Sequence, residues 1–237
     1  MVNAIVGNDL VIPELTKPRK MTAQEHAYLR LRHALMVGSI APGVPVTIRG
    51  LAGIMQLSPT PVREALRRLS SQNALEVLEN RRIVVPNMTR ERFHELVSLR
   101  SALETYTAER AMAFVSESLI DELEKIDDEM DVAVEAEARE KLIILNQEFH
   151  TKLFCANPNQ ISMPMIESVW LQLGPFMRIA LQHIGTFYTI DRHKEIIAAL
   201  RQRDRSALKR AVDADIHDAV GRFDDAAMRK ILGSKAA

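Results

Sequence analysis

At 237 residues, 47% of them hydrophobic and 26% charged, the chain can hold one large or two smaller domains with a real core, and its single cysteine, Cys155, excludes an internal disulfide and fits a reducing cytoplasm. No run approaches the roughly 18 apolar residues of a membrane span, and residues 1–20 lack the basic-then-apolar order of a secretory leader, so no membrane role is expected and a cytoplasmic protein is. The zero net charge hides a division, with 13 Lys/Arg against 5 Asp/Glu from Lys17 to Arg92 and 13 Asp/Glu against 3 Lys/Arg from Glu104 to Glu140, as for a nucleic-acid-binding domain joined to something that is not one.

Residues 1–20 show no sustained period and read as an arm, with Pro13 and Pro18 disfavouring a long helix; Lys17, Arg19 and Lys20 on it suit phosphates. Thr22-x-x-Glu25 is a capping box that opens a helix running to about Val37, with Ala27, Leu31, Ala34 and Leu35 on its apolar face. Gly38 ends it, and Ala41-Pro42-Gly43 makes a turn. Thr47 caps a second short helix carrying Leu51, Ala52 and Met55. The tight link Gln56-Leu57-Ser58 leads into LSPTPVREALRRLSS, residues 57–71, the stretch around which the chain is organised. Ser58 or Thr60 caps this helix, and Pro59 and Pro61 are tolerated only in a first turn. Val62, Ala65, Leu66 and Leu69 form its apolar stripe, and Arg63, Arg67 and Arg68 stand off it.

Two short helices so closely joined make a helix-turn-helix. An entry bearing small hydroxyls and an exposed side bearing arginines suit a DNA major groove; three arginines alone would also fit a merely solvated face. Leu75–Leu78 and Ile83–Val85 are β-rich runs around Asn80-Arg81-Arg82. They predict a hairpin, the wing of a winged helix, with Arg81 and Arg82 placed to reach a minor groove or backbone.

The succession LR-x-AL-x-x-G-x-I-x-PG, then LA, then S-x-TPVREALRRL, then the hairpin, resembles the winged-helix domain of the GntR superfamily of bacterial transcription regulators over about residues 25–88. The resemblance implies DNA contacts from Arg49, Arg63 and the wing, beside Ser58, Thr60 and Arg67 of the helix itself. Pro59 stands where the family usually carries a DNA-contacting arginine, and Arg82 where a glycine is common.

Beyond Pro86-Asn87-Met88 the pattern is helical only, over residues 89–115, 117–136, 138–156, 160–183, 189–202 and 204–231. Six helices after a winged helix, with Arg100-x-x-x-Glu104, Phe149-His150 and the late His193, resemble the all-helical effector domain of the FadR/FCD branch. The expected fold is mainly α: an arm (1–20), a winged helix-turn-helix (21–88) and an all-helical ligand-sensing and dimerisation domain (89–237).

Several polar residues fall where the helical period predicts burial. Asn146 and His150, spaced i,i+4, share the face of Leu142, Leu145, Phe149 and Leu153. His193 aligns with Ile196, Ile197 and Leu200, and Asp215 with Leu208, Ala211, Val212, Ala219 and Phe223. His193 precedes the break near Arg203 by ten residues and Asp215 follows it by twelve, so a rise of about 1.5 Å per residue sets them side by side in an antiparallel pair. His217 is rotated onto the opposite, polar face. Taken singly, each is equally a hydrogen-bonded core residue. Taken together, Asn146, His150, His193 and Asp215 form an N/O set suited to zinc, nickel or manganese. The metal-binding members of the resembled branch carry Asp or Asn at the position of Asn146, histidines at those of His150 and His193, and a third histidine where this chain has Asp215.

Arg100, on the face of Leu96, Leu99, Leu103 and Thr107, wants a planar anion: Glu104 four residues on, or, as the resemblance implies, a carboxylate effector. The composite expectation is a homodimeric repressor of a palindromic double-stranded operator, sensing a small carboxylate metabolite through a divalent metal. The alternative is a metal-dependent helical enzyme fused to a DNA-binding module. Against catalysis stand the absence of a His-Glu-x-x-His motif and of a glycine-rich phosphate loop, and the lack of any nucleophile motif around Cys155.

Overall fold

The structure is a computed structural model of the chain, in which residues 10–78, 82–183 and 192–220 are described. Asn80 and Arg81 of the expected wing tip, the break near Gly185 and the helix end beyond 220 lie outside them. In order, the elements are α1 (Ala23–Met36), β1 (Pro45–Val46), α2 (Ile48–Met55), α3 (Pro59–Ser71), β2 (Glu76–Val77), β3 (Ile83–Val84), α4 (Arg90–Ala111) with a 3-10 turn (Met112–Phe114), α5 (Glu117–Glu135), α6 (Arg139–Phe154), α7 (Met163–His183), α8 (Arg192–Arg201) and α9 (Arg205–Val220). The protein is mainly α, a winged helix-turn-helix followed by helices, as the patterning predicts.

The chain divides into two compact units, one of residues Met1–Thr89 and Trp170–His183, the other of Arg90–Val169 and Ile184–Ala237. In the first, helix starts follow their capping residues. Thr22 accepts from the Glu25 amide at 3.1 Å and Thr47 from that of Gly50 at 3.1 Å. Ser58 occupies the N-cap of α3 without such a side-chain bond, and Pro59 takes the first helical position, where a missing N–H costs nothing. Gly38, at φ +68°, terminates α1 in the left-handed region. Gln56 adopts φ 54° to close the turn between α2 and α3. Leu31, Leu35, Leu51, Met55, Val62, Leu66 and Leu69 bury the joint faces of the three helices.

The hairpin gains a strand that periodicity does not reveal. β1 pairs antiparallel with β3, Pro45 opposite Val84, and the sheet order is β1-β3-β2. The arm also differs from a merely extended segment. Ile12 is buried, and the buried Arg30 donates to the carbonyls of Pro13 (3.0 Å), Ile12 (3.3 Å) and Met55 (3.1 Å). One guanidinium thereby fastens the arm and the end of α2, while Lys17, Arg19 and Lys20 stay exposed.

The second half of α7 also belongs to this first unit. Its approach to α1 is close: a Cβ at Gly174 would sit 2.7 Å from the carbonyl oxygens of both Leu35 and Met36. Backbone atoms cannot swing aside as a side-chain tip can. Gly174→Ala is therefore expected to destabilise the protein by roughly 1–3 kcal/mol, the range for forced overpacking. Thermal melts of the two proteins under identical buffer check this; an unchanged midpoint would contradict the close approach.

In the second unit α5 packs on α6 and α8, α4 on α9 and α6, and α8 on α9. Phe93, Ile120, Leu123, Met130, Phe149, Phe154, Leu200 and Leu208 fill the core. Arg203, at φ 55° in the α8–α9 turn, donates to the carbonyls of Val115 (2.8 Å) and Met112 (3.2 Å), tying that turn to the end of α4. Among the described residues no helix is long and apolar enough to cross a membrane.

Candidate functional site

Three helices of the second unit carry a cluster of ligand atoms. His150 comes from the last turns of α6, His193 from the start of α8 and Asp215 from the second half of α9. One ligand atom of each lies within 4.8 Å of those of the other two. The Nε2 of His150 is 3.1 Å from one Asp215 carboxylate oxygen, and the Nε2 of His193 is 3.9 Å from the other. Both imidazoles are fully buried, and Asp215 is nearly so. Asn146, one turn before His150, points its amide nitrogen at His193 Nε2 across 3.4 Å. The four polar residues expected on apolar faces are thus gathered at one place. His217 is not among them: it is exposed, its Nδ1 2.9 Å from the Asp213 carbonyl oxygen of its own helix.

The chemistry of this set fits a divalent cation. Both ring nitrogens of His150 are buried without a hydrogen-bond partner, although one lies beside the Asp215 carboxylate. Leaving buried polar atoms unpaired costs roughly 1–3 kcal/mol each, and a cation shared by these groups removes that cost. Two imidazoles, a carboxylate and an amide oxygen are the ligand types of zinc, nickel and manganese, in line with the expectation from the sequence. A coordinating Asn146 would present its oxygen rather than its nitrogen, a half-turn of the amide.

Charge near the cluster is balanced with care. Burial by itself pushes the Asp215 carboxyl up, but His150, His193 and Arg100 around it outweigh this and hold it well below the usual carboxylate range. Arg100 leans the same way: burial works against its charge, while Glu104 and Asp215 hold the proton on more firmly than usual. Its Nε donates to the fully buried Glu104 at 2.6 Å, with a second contact at 3.5 Å from the guanidinium to the other carboxylate oxygen. The i,i+4 ion pair is therefore formed, and the same guanidinium lies within electrostatic reach of the cluster.

One buried acid escapes the sequence reading. Asp127 of α5 is 2% exposed, and its Oδ1 lies 3.6 Å from His193 Nδ1, the ring nitrogen turned away from Asp215. The signal was present, because Asp127 falls on the stripe of Ile120, Leu123, Ile126, Met130 and Ala133. It is masked there by an acidic run, IDDEMD, whose other acids face solvent.

The other site residues lie on the first unit. Arg49, Ser58, Thr60, Arg63 and Arg67 are all exposed, at the entries of α2 and α3 and along the outer side of α3. The arginines of α3 differ in their surroundings. Arg67 pairs with Glu64 at 3.0 Å, whereas Arg68 stacks over the ring of Tyr28, 3.6 Å from its centroid. Arg68 thereby joins α3 to α1 while remaining exposed. Arg82 is exposed at the base of the wing, and Arg81 lies outside the described residues.

Comparison with known proteins places both units. Residues 95–218 match the model of the FCD domain, and residues 23–85 that of bacterial regulatory proteins of the gntR family. The chain is 28% identical over 182 residues to the HTH-type transcriptional regulator McbR of Escherichia coli, covering 76% of this chain and 82% of that protein. It is 26% identical over 241 residues to the gluconate operon transcriptional repressor of Bacillus subtilis, covering 98% and 97%. Among solved structures, E. coli McbR/YncC superposes with a TM-score of 0.78 at 24% identity, over 86% of this chain and all of that one. A GntR regulator of Rhodococcus sp. RHA1 superposes with a TM-score of 0.67 at 22% identity, over 90% and 99%.

Proposed function

The chain belongs to the GntR family of bacterial regulatory proteins, in the branch that carries an FCD domain, and from that premise we propose how its parts divide the work. It is a DNA-binding transcription regulator. Residues 21–88 read the operator: α3 enters the major groove, where Arg63 and Arg67 face base edges or phosphates. Ser58, Thr60 and Arg49 contact the backbone, and Arg81 and Arg82 of the wing reach the flanking groove. Residues 89–237 form the sensing and dimerisation part. The protein acts as a cytoplasmic homodimer and a repressor, and it is not an enzyme.

The sensing site is the cluster of Asn146, His150, His193 and Asp215. The observation that carries this reading is the buried His150 imidazole, which forms no hydrogen bond through either ring nitrogen although its Nε2 lies 3.1 Å from the Asp215 carboxylate. A bound divalent cation would supply positive charge that a carboxylate metabolite can ligate. Arg100 offers the second anchor for that metabolite, a planar fork that matches a carboxylate. Binding would favour one arrangement of the two DNA-reading units over another and so change operator affinity.

The test uses the full-length dimer. A duplex enriched from random sequence by the protein should be palindromic, with affinity that falls steeply with salt. Gluconate and related small hydroxy acids, suggested by the name of the B. subtilis relative, are then titrated with zinc present and after chelation. Arg63→Ala should weaken specific binding by about 1–3 kcal/mol and relax the preference at one position of each half-site. Enrichment of no sequence, or affinity indifferent to salt, would remove the DNA reading.

A further inference from the structure

The carboxylate of Asp127 is buried beside the cluster. It approaches the Nδ1 side of His193, while Asp215 and Asn146 approach the Nε2 side, so this one imidazole is flanked by a carboxylate at each end. A neutral imidazole carries one proton, and the nitrogen that holds it decides what the other can bind. With the proton on Nε2, His193 would donate to Asp215, closing the cluster as a hydrogen-bonded pair and turning a lone pair toward Asp127. With the proton on Nδ1, it faces the Asp127 carboxylate, 3.6 Å away, and the Nε2 lone pair opens toward Asp215 and His150.

We propose that Asp127 is a positioning residue of the metal centre, which holds His193 as the Nδ1–H tautomer so that Nε2 is free to ligate. This rests on reading His150, His193 and Asp215 as metal ligands. Three observations support it. Asp127 is almost fully buried, so its carboxylate is shielded from bulk water and acts on the ring at low dielectric. The ring plane of His193 is fixed by Phe149, edge to face at 4.5 Å between centroids, which hinders an exchange of its two nitrogens. Asn146 is neutral, so Asp215 gives the ligand set a single negative charge, and Asp127 adds a second from just behind the ligands. A carboxylate behind a ligating imidazole both orients the ring and raises its basicity.

The experiment compares full-length protein with Asp127→Ala, Asp127→Asn and Asp131→Asn, the last removing a half-exposed acid of the same helix that pairs with Lys194 at 3.0 Å. Zinc affinity is measured by competition with a chelator. The tautomer of His193 is read from long-range proton–nitrogen correlations on 15N-histidine-labelled, zinc-loaded protein. Asp127→Ala should weaken zinc binding about 10- to 100-fold and erase or broaden the Nδ1–H signature of His193. Asp127→Asn, which keeps an acceptor oxygen but no charge, should lie between, and Asp131→Asn should change nothing. If Asp127→Ala does not fold by circular dichroism, the isosteric Asp127→Asn carries the comparison. Zinc affinities of the Asp127 variants within about twofold of the unaltered chain, with His193 signals unmoved, would overturn the role of Asp127 alone. Failure of the unaltered chain to bind zinc would overturn the metal reading, and this inference with it.

Discussion

His193→Ala should purify without divalent metal and take up zinc more than about 100-fold more weakly than the unaltered chain, a larger loss than removal of a supporting partner causes. The same holds for His150→Ala. Each supplies one of two imidazoles to a site with a single carboxylate, and no other histidine of the described residues lies in the cluster to replace it. His217→Ala is the matched control. It removes a histidine two residues from Asp215, but an exposed one bonded to its own helix, and should leave metal content unchanged. Elemental analysis of protein purified without chelator or a metal-affinity tag reads the result directly. Acidification should release the metal from the unaltered chain, because protons compete for the same imidazole nitrogens. Equal metal loss in His217→Ala would place the site elsewhere.

Removing Glu104 should be among the most damaging single changes available to the second unit. Glu104 is fully buried and Arg100 is 13% exposed, so Glu104→Ala strands a guanidinium in the interior with its partner gone. Breaking one side of a buried ion pair typically costs 3–5 kcal/mol, about a third or more of the stability of an ordinary domain. Arg100→Met breaks the same ion pair from the other side, and a loss of effector response in that variant would be confounded by a loss of stability. The double variant Arg100→Met/Glu104→Met separates the two. Replacing both charges by apolar groups of similar volume should return stability to within about 1–2 kcal/mol of the original. If Arg100 anchors the effector, the double variant melts nearly as the unaltered chain does, binds its operator, and ignores the metabolite. A double variant that still responds removes Arg100 from the site. Chemical denaturation and operator binding on the same samples supply both readouts.

Local chemistry was legible from residues where a short stretch decides the outcome. Thr22 with Glu25, and Thr47, announce helix starts because capping involves only three neighbours. The polar residues on apolar faces stood out for a similar reason, since helical period alone fixes what faces the core. What the residues did not disclose depends on partners distant in sequence. β1 is two residues long and contains Pro45, so no alternation marks it; it exists because β3 offers it an edge. Arg30 reads as one more basic residue of α1, yet it is buried against carbonyls 17, 18 and 25 residues away. Asp127 was hidden by its neighbours, as solvated acids on either side made its own stripe position look incidental. Arg68 stands off the apolar stripe of α3 with Arg63 and Arg67, and its stacking on Tyr28 depends on a residue 40 positions earlier.

The sequence discontinuity of the first unit has a consequence for the order in which the protein is made. Residues 1–89 leave the ribosome early, but Trp170–His183, which complete that unit, follow about 90 residues later. At 5–20 residues per second the interval is about 5–20 s, long compared with the closure of a small helical domain. During it the end of α1 around Leu35 and Met36, later covered by α7 at Gly174, waits without its cover. A nascent chain paused before residue 170 should accordingly be more open to proteolysis around α1 than one released after 183. The unit that carries the helix-turn-helix is finished only once most of the second unit has already been translated.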